Sequence, residues 1–375
     1  MRFRSRMRLL VAAASVALAA VAFVQGPSAS AADGGGAVYV LTNQSAGNAV
    51  QVYERAPDGS LAFSGAFPTT GTGTGAGLGS QGALVLKGTR LFAVDAGSNQ
   101  ISDLSVGGGG LTLSHLDTVG SGGVTPISVT VKGTLLYVLN AGDGSNAGNI
   151  TGFRIRDDGR LHAIPGSTRP LSADSAGPAQ VQFSPNGGLL IVTEKATNLI
   201  DTYTVSASGL ASGPTTHPSA GQTPFGFDVR GKRLFVSEAF GGAQDASAMS
   251  SYHIGDGGAL HVISASVPTT ETAACWVVVT TNGRYAYATN TGSASVSGYR
   301  VRPNGAVRLL DADGTTGNTG GAPIDAAVSA GSEFLYTNDS AGHDISAFRI
   351  HRDGSLTPVA GASGLPAGAV GLAAR

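Results

Sequence analysis

Residues Ala274–Leu310 read ACWVVVTTNGRYAYATNTGSASVSGYRVRPNGAVRLL. Apolar and polar side chains alternate, the chain turns at Asn282-Gly283, alternates again, and turns a second time at Asn304-Gly305. A period of two marks a half-buried strand, and Asn-Gly accepts the positive φ that a two-residue hairpin needs. Whether this unit is a local pair of hairpins or one copy of a repeat decides the fold.

It recurs. The segment YAYATN has relatives in AVYVLTN from Ala37, RLFAVDA from Arg90, LLYVLNA from Leu135, LLIVTEK from Leu189, RLFVSEA from Arg233 and FLYTNDS from Phe334. Tyr39, Phe92, Tyr137, Ile191, Phe235, Tyr287 and Tyr336 are then equivalent points, 44 to 54 residues apart. A period near 50 residues filled with short strands predicts an all-β, seven-bladed β-propeller with four strands, a to d, per blade. Strand a begins near a proline, at Pro126, Pro178, Pro224 and Pro323, and the c–d turns carry Gly59, Gly159, Gly209, Gly305 and Gly354. The first unit starts directly at strand b. The tail GLPAGAVGLAAR from Gly364 supplies the missing strand a and closes the ring, which removes exposed sheet edges.

The N-terminus reads differently. Arg2, Arg4, Arg6 and Arg8 precede a charge-free apolar run, Leu9–Val24, and Ala29-Ser30-Ala31 follows. That order predicts a secretory signal peptide over residues 1–31, leaving residues 32–375 as one propeller domain in a secreted or periplasmic protein. The 344 remaining residues carry 19 basic and 24 acidic side chains, a formal charge of −5. A net negative chain argues against nucleic acid or an anionic membrane as partner. The single cysteine, Cys275, excludes a disulfide framework and a cysteine-based zinc site.

Strand a is innermost in a propeller. The face where it begins carries the b–c and d–a loops (the loop face). The opposite face carries the a–b and c–d turns (the turn face). On this topology the residues ending the b strands, Asn43, Asp95, Asn140, Glu194, Glu238, Asn290 and Asp339, should ring the channel on the loop face. Asn and Asp suit chain reversals, so turn chemistry competes with a ligand-binding role there. Glu is less suited to turns, which favours Glu194 and Glu238, with the adjacent Lys195, as candidate catalytic groups. Gln180, Phe225, Trp276 and Asp325 start strands a and form a second candidate ring. Trp276 reads either as a stacking surface or as core, and Cys275 as a small buried hydrophobe. His217 and His343 are the histidines expected in loop-face loops, where each would be a general base or merely solvated. The Gly-rich run GTGTGAGLGSQG, Gly71–Gly82, precedes a strand rather than a helix and lacks dinucleotide-site spacing.

From Ala37 to Arg375 the chain resembles the lactonase-type seven-bladed propellers, which include propeller 6-phosphogluconolactonases and carboxymuconate-lactonising enzymes. FSPNGGLLIVTE, TPFGFDVRGKRLFVSE, TNGRYAYATN, FRIRDDGRL and FRIHRDGSL carry the resemblance. The family's P-H-x-H stands here as Gly177-Pro178-Ala179-Gln180, its P-R-H as Pro224-Phe225-Gly226, and its P-R-G as Pro323-Ile324-Asp325. Of the histidine, arginine and glutamate set that would bind an anionic lactone, only Glu238 remains. The resemblance implies a lactonase scaffold without the arginines for a phosphorylated substrate.

Two functional readings follow. One is hydrolysis of a neutral lactone or sugar-derived ester, with Glu238, or Glu194 with Lys195, as base. The other is a non-catalytic propeller binding a glycan, small molecule or protein. A monomer is expected, without an organic cofactor; a divalent ion on the ring carboxylates would serve either reading.

Overall fold

The structure, a computed structural model, describes residues 34–375; the predicted signal peptide lies outside them. Seven antiparallel sheets form the blades of a ring. The inner strands of blades 2 to 7 are Leu84–Lys87, Pro126–Lys132, Pro178–Phe183, Pro224–Arg230, Ala274–Val279 and Pro323–Val328. Blade 1 takes its inner strand from Val370–Ala374, which pairs with Gly36–Leu41 in the register Val38 to Ala374 and Tyr39 to Ala373. The closure read from the sequence is therefore present. Among the described residues the helical turns are three short 3-10 segments, Gly108–Gly110, Phe240–Gly242 and Asp256–Gly258, and no helix is long and apolar enough to cross a membrane.

The outer strands of blades 3 and 6 are broken, into Leu161–Ala163 with Arg169–Pro170 and Val307–Leu309 with Gly317–Asn318. Pro165-Gly166 interrupts the first, where proline cannot donate to the ladder. A loop through Gly314, at φ +84°, interrupts the second.

The repeated aromatic of strand b has a physical role. Tyr39, Tyr137, Tyr287 and Tyr336 are almost fully buried. Each donates its hydroxyl to a backbone carbonyl in the next blade's c–d turn, at Gly110, Gly209, Gly354 and Gly59 respectively. The last of these joins blade 7 to blade 1. Glycine is required in that turn: Gly59 has φ +93°, and a Cβ on it would sit 2.2 Å from the Phe334 ring. Beyond their first residue the b strands are buried, and all six residues of Tyr285–Asn290 are, so the core lies between neighbouring blades.

Candidate functional site

The side chains ending the b strands do not line the channel. Asn43, Asp95, Asn140, Glu194, Glu238, Asn290 and Asp339 are all 0% exposed. They sit inside the blades, beneath the loops that join one blade to the next. Glu238 accepts from Ser250 and Ser266, each at 2.5 Å. Glu194 accepts from the Ser172 N–H at 2.9 Å, from the Ser172 hydroxyl and from Thr197 at 2.6 Å. Asp95 takes Asn48, Thr69 and Ser102, and Asp339 takes Thr337 and Ser346. Asn290 donates to Ser295 and Ser297. The interblade loops pack directly on these groups. A Cβ on Gly221 would fall 2.1 Å from Glu238 Oε2, and one on Gly71 would fall 2.4 Å from Asp95 Cγ. Asp95 and Glu194 thus tie down the loops above them, through Thr69 and Ser172.

Burial raises the pKa of Asp95, Glu238 and Asp339. It pushes Asp339 up to about 7 and raises Glu238 against the opposing bonds from its two serines. Asp201, beside Glu194, is pushed up to about 8 by burial and by that neighbouring carboxylate.

The channel mouth on the loop face is closed, by the Gly-rich run that matched no dinucleotide site. After Gly75 and Gly79, both with positive φ, the chain crosses the mouth. The Ser80 hydroxyl donates to Ile127 O in blade 3, and the Gln81 N–H donates to Ala179 O in blade 4. Lys195 Nζ donates to Gly79 O at 2.6 Å, and Trp276 Nε1 to Ser80 O at 2.9 Å. The Gln81 amide bonds both N–H and carbonyl of Val277, from blade 2 to blade 6. Residues 78–81 form a strap across the channel. Only glycine tolerates the left-handed backbone at Gly75 and Gly79 without strain, which is why the run is glycine-rich.

Beneath the strap, Phe225 and Trp276 pack with ring centroids 5.1 Å apart, and Trp276 is 4% exposed. Lys195 lies 4.6 Å over the Phe225 ring, and burial lowers its pKa to about 8. Cys275 is buried, and burial raises its thiol to about 11. Gln180 uses its amide on the backbone of Phe227 in blade 5. His217 falls within the outer strand Ala211–Pro218 rather than in a loop, because its strand runs on to Pro218; it bonds Thr202. His343 is exposed in its loop. Among the described residues no three His, Cys, Asp or Glu side chains converge as a metal set. The structure therefore brings Lys195, Phe225, Trp276 and Gln180 together at the strap. It leaves Glu194, Glu238, Asn290 and Asp339 apart, each in its own blade.

The concavity shared by all seven blades is the channel below the strap, with a volume of about 480 Å³. It reaches the ends of the inner strands on the turn face, where Lys87 and Lys132 stand at the mouth. Inside, Gln182 bonds Asp228, and Asp228 pairs with Arg230 at 3.2 Å. Asp325 is 2% exposed, receives the Leu372 N–H, and is pushed up to about 8 by burial. A neutral carboxyl, a compensated ion pair and side-chain amides make this interior polar without net charge. Sequence reasoning named Gln180 and Asp325 but missed Gln182, Asp228 and the lysines. The signal was available, because inner-strand residues of alternate parity must all face the channel.

These features define the class: a seven-bladed β-propeller with its channel closed on the loop face. No family profile matches the sequence. No curated protein matches it either. Solved structures do. A candidate 6-phosphogluconolactonase of Bacteroides fragilis NCTC 9343 shares 19% identity over 92% of this chain and 99% of its own, with a TM-score of 0.67. The periplasmic gluconolactonase of Pseudomonas aeruginosa shares 17% over 90% and 98%, with a TM-score of 0.69. A Lactobacillus plantarum protein shares 17% over 90% and 98%, with a TM-score of 0.71. At these identities the likeness is one of fold.

Proposed function

We propose that the mature chain is a secreted, non-hydrolytic binding propeller that takes a small, polyhydroxylated ligand into the central channel from the turn face. The observation that carries this reading is the position of the opening. The end where a catalytic glutamate ring was expected is strapped shut, and the open end leads to Gln182, Thr130 and a neutral Asp325. Amides, hydroxyls and a protonated carboxyl suit the hydroxyls of a sugar-derived molecule, and a few convergent polar groups in a cleft of this size are typical of a ligand pocket. Glu238, with both oxygens occupied and no exposure, is poorly placed as a base toward water.

A second reading, hydrolysis of a neutral lactone, is favoured by the fold likeness to a periplasmic gluconolactonase. One experiment separates the two. Mature protein is titrated calorimetrically with gluconate and gluconolactone, and base uptake is followed with a panel of neutral lactones. The binding reading expects saturable heat without turnover, abolished by Gln182→Phe, which fills the channel. Turnover that collapses in Glu238→Gln would replace it with the hydrolytic reading.

A further inference from the structure

Charge is divided between the two faces. Of the 19 lysines and arginines among the described residues, 16 lie in the a–b and c–d turns or within two residues of them, and Arg375 ends the closing strand on the same face. Arg169 and Lys195 alone lie on the loop face. By the same measure seven side-chain carboxylates lie on the turn face, and the terminal carboxylate offsets Arg375, so the face carries a formal excess of +9. The loop face holds at least nine carboxylates. A net-negative chain therefore presents one strongly basic face.

Some of this is structural. Arg90, Arg154, Arg233 and Arg349 each donate to a carbonyl in the next blade's c–d turn, at Gly159, Ser208, Pro303 and Asp58. Arg90 is also ion-paired with Asp103, and Arg230 with Asp228; for Arg154, Arg233 and Arg349 a carbonyl satisfies the donors without cancelling the charge. Nor does that account extend to the arginines of blades 6 and 7. Arg284, Arg300, Arg302, Arg308 and Arg352 are all exposed, and none makes an ion pair among the described residues. Arg284 and Arg300 pack on Tyr285, with Arg308 paired opposite Arg300 and the Arg352 backbone on the tyrosine hydroxyl. The Arg284 and Arg300 guanidinium groups lie 5.9 and 5.4 Å from its ring centroid. Arg300 donates to its hydroxyl, which donates in turn to Arg352 O. Arg300 and Arg308 stand directly opposite each other on paired strands. Like charges in that position repel, and nothing internal compensates them.

We propose that the turn face docks a soluble polyanion, an extended chain bearing phosphate or carboxylate groups, anchored at the arginine cluster around Tyr285. Guanidinium forks match both groups bidentately and bind them where lysine would act only as a point charge. A bilayer fits less well. The large exposed apolar side chains, Phe63, Leu116 and Val262, sit on outer strands rather than in the turns, so the face offers no apolar wedge for insertion. This proposal stands apart from the channel ligand and does not depend on it.

The test uses the mature protein and two labelled probes, long-chain polyphosphate and poly-L-glutamate, followed by fluorescence anisotropy. At least one probe should bind at low salt and weaken roughly ten- to fifty-fold between 50 and 200 mM, as three or four released counterions require. R302E/R308E/R352E, all exposed positions, should weaken binding at least about tenfold with an unchanged melting temperature. Arg169→Glu on the loop face should change it less than about twofold. Absence of binding to both probes overturns the proposal, as does equal loss in the two variants. Binding confined to phosphatidylglycerol vesicles also overturns it, in favour of a membrane surface.

Discussion

The two ends of the channel are built from the same seven blades and have opposite characters. On the loop face the connections are longer, they pack onto the buried Glu194, Glu238 and Asp95, and a strap is laid over the mouth. On the turn face the connections are tight glycine turns, too short to fold back, so the charged side chains beside them project into water. Loop length is usually taken to mark the working end of a propeller. Here the long loops consume their own chemistry and the short turns leave theirs available.

The sharpest way to break this contrast is to remove one group from each end. Glu238→Ala leaves Ser250, Ser266 and the overlying loop without an acceptor, and it should cost about 3 kcal/mol in chemical denaturation. Lys87→Ala at the open mouth should stay within about 0.5 kcal/mol. Equal costs would erase the distinction between a sealed end and an open one.

A second test is pH. Burial raises Asp201 and Asp325 to about 8 and Asp339 to about 7, above the ordinary aspartate value near 3.9. Groups raised on folding hold their proton more tightly in the native state. The stability they contribute is complete below about pH 4 and is lost as pH rises to 7–8, by up to about 1.4 kcal/mol per pH unit for each group. The protein should therefore unfold at lower denaturant at pH 8 than at pH 5, and Asp201→Asn should flatten the dependence. A profile rising from pH 5 to 8 would contradict the buried, protonated assignment.

The strap offers a smaller effect with a cleaner readout. Lys195→Met removes the bond to Gly79 and should cost about 1 kcal/mol. Trp276 is the only tryptophan, so loosening of the strap should appear as a red shift and easier acrylamide quenching of its emission. Unchanged emission would mean that Gln81 and Trp276 hold the strap without the lysine. Tyr336→Phe, which deletes the hydroxyl bond from blade 7 to Gly59, should likewise cost roughly 1 kcal/mol, read by thermal unfolding.

Most of the fold was legible because a repeat states its architecture seven times. The period of Tyr39, Tyr137, Tyr287 and Tyr336, the Gly turns and the strand missing from blade 1 all pointed to one ring. The site was harder to read. A polar residue at a strand end looks the same in sequence whether it faces a channel or an overlying loop, and Glu194 and Glu238 were ambiguous for that reason. The strap was hidden because no local signal says where a Gly-rich loop comes to rest. It is defined by contacts between Gly79 and Lys195, and between Ser80 and Trp276, that lie 116 and 196 residues apart. The arginine face, by contrast, was present in the sequence. Basic residues flank eight of the thirteen a–b and c–d turns, but a single net charge averages that pattern away.

The pairing of Val38 with Ala374 spans 336 positions. Chain closure over that distance is about as non-local as a contact in this protein can be, and non-local pairing is slow to form. Until Val370–Ala374 arrives, Gly36–Leu41 presents an open edge and the ring stays a gapped arc. The final strand acts as a completeness check: any chain cut short of it keeps an adhesive edge exposed and is marked for aggregation or proteolysis.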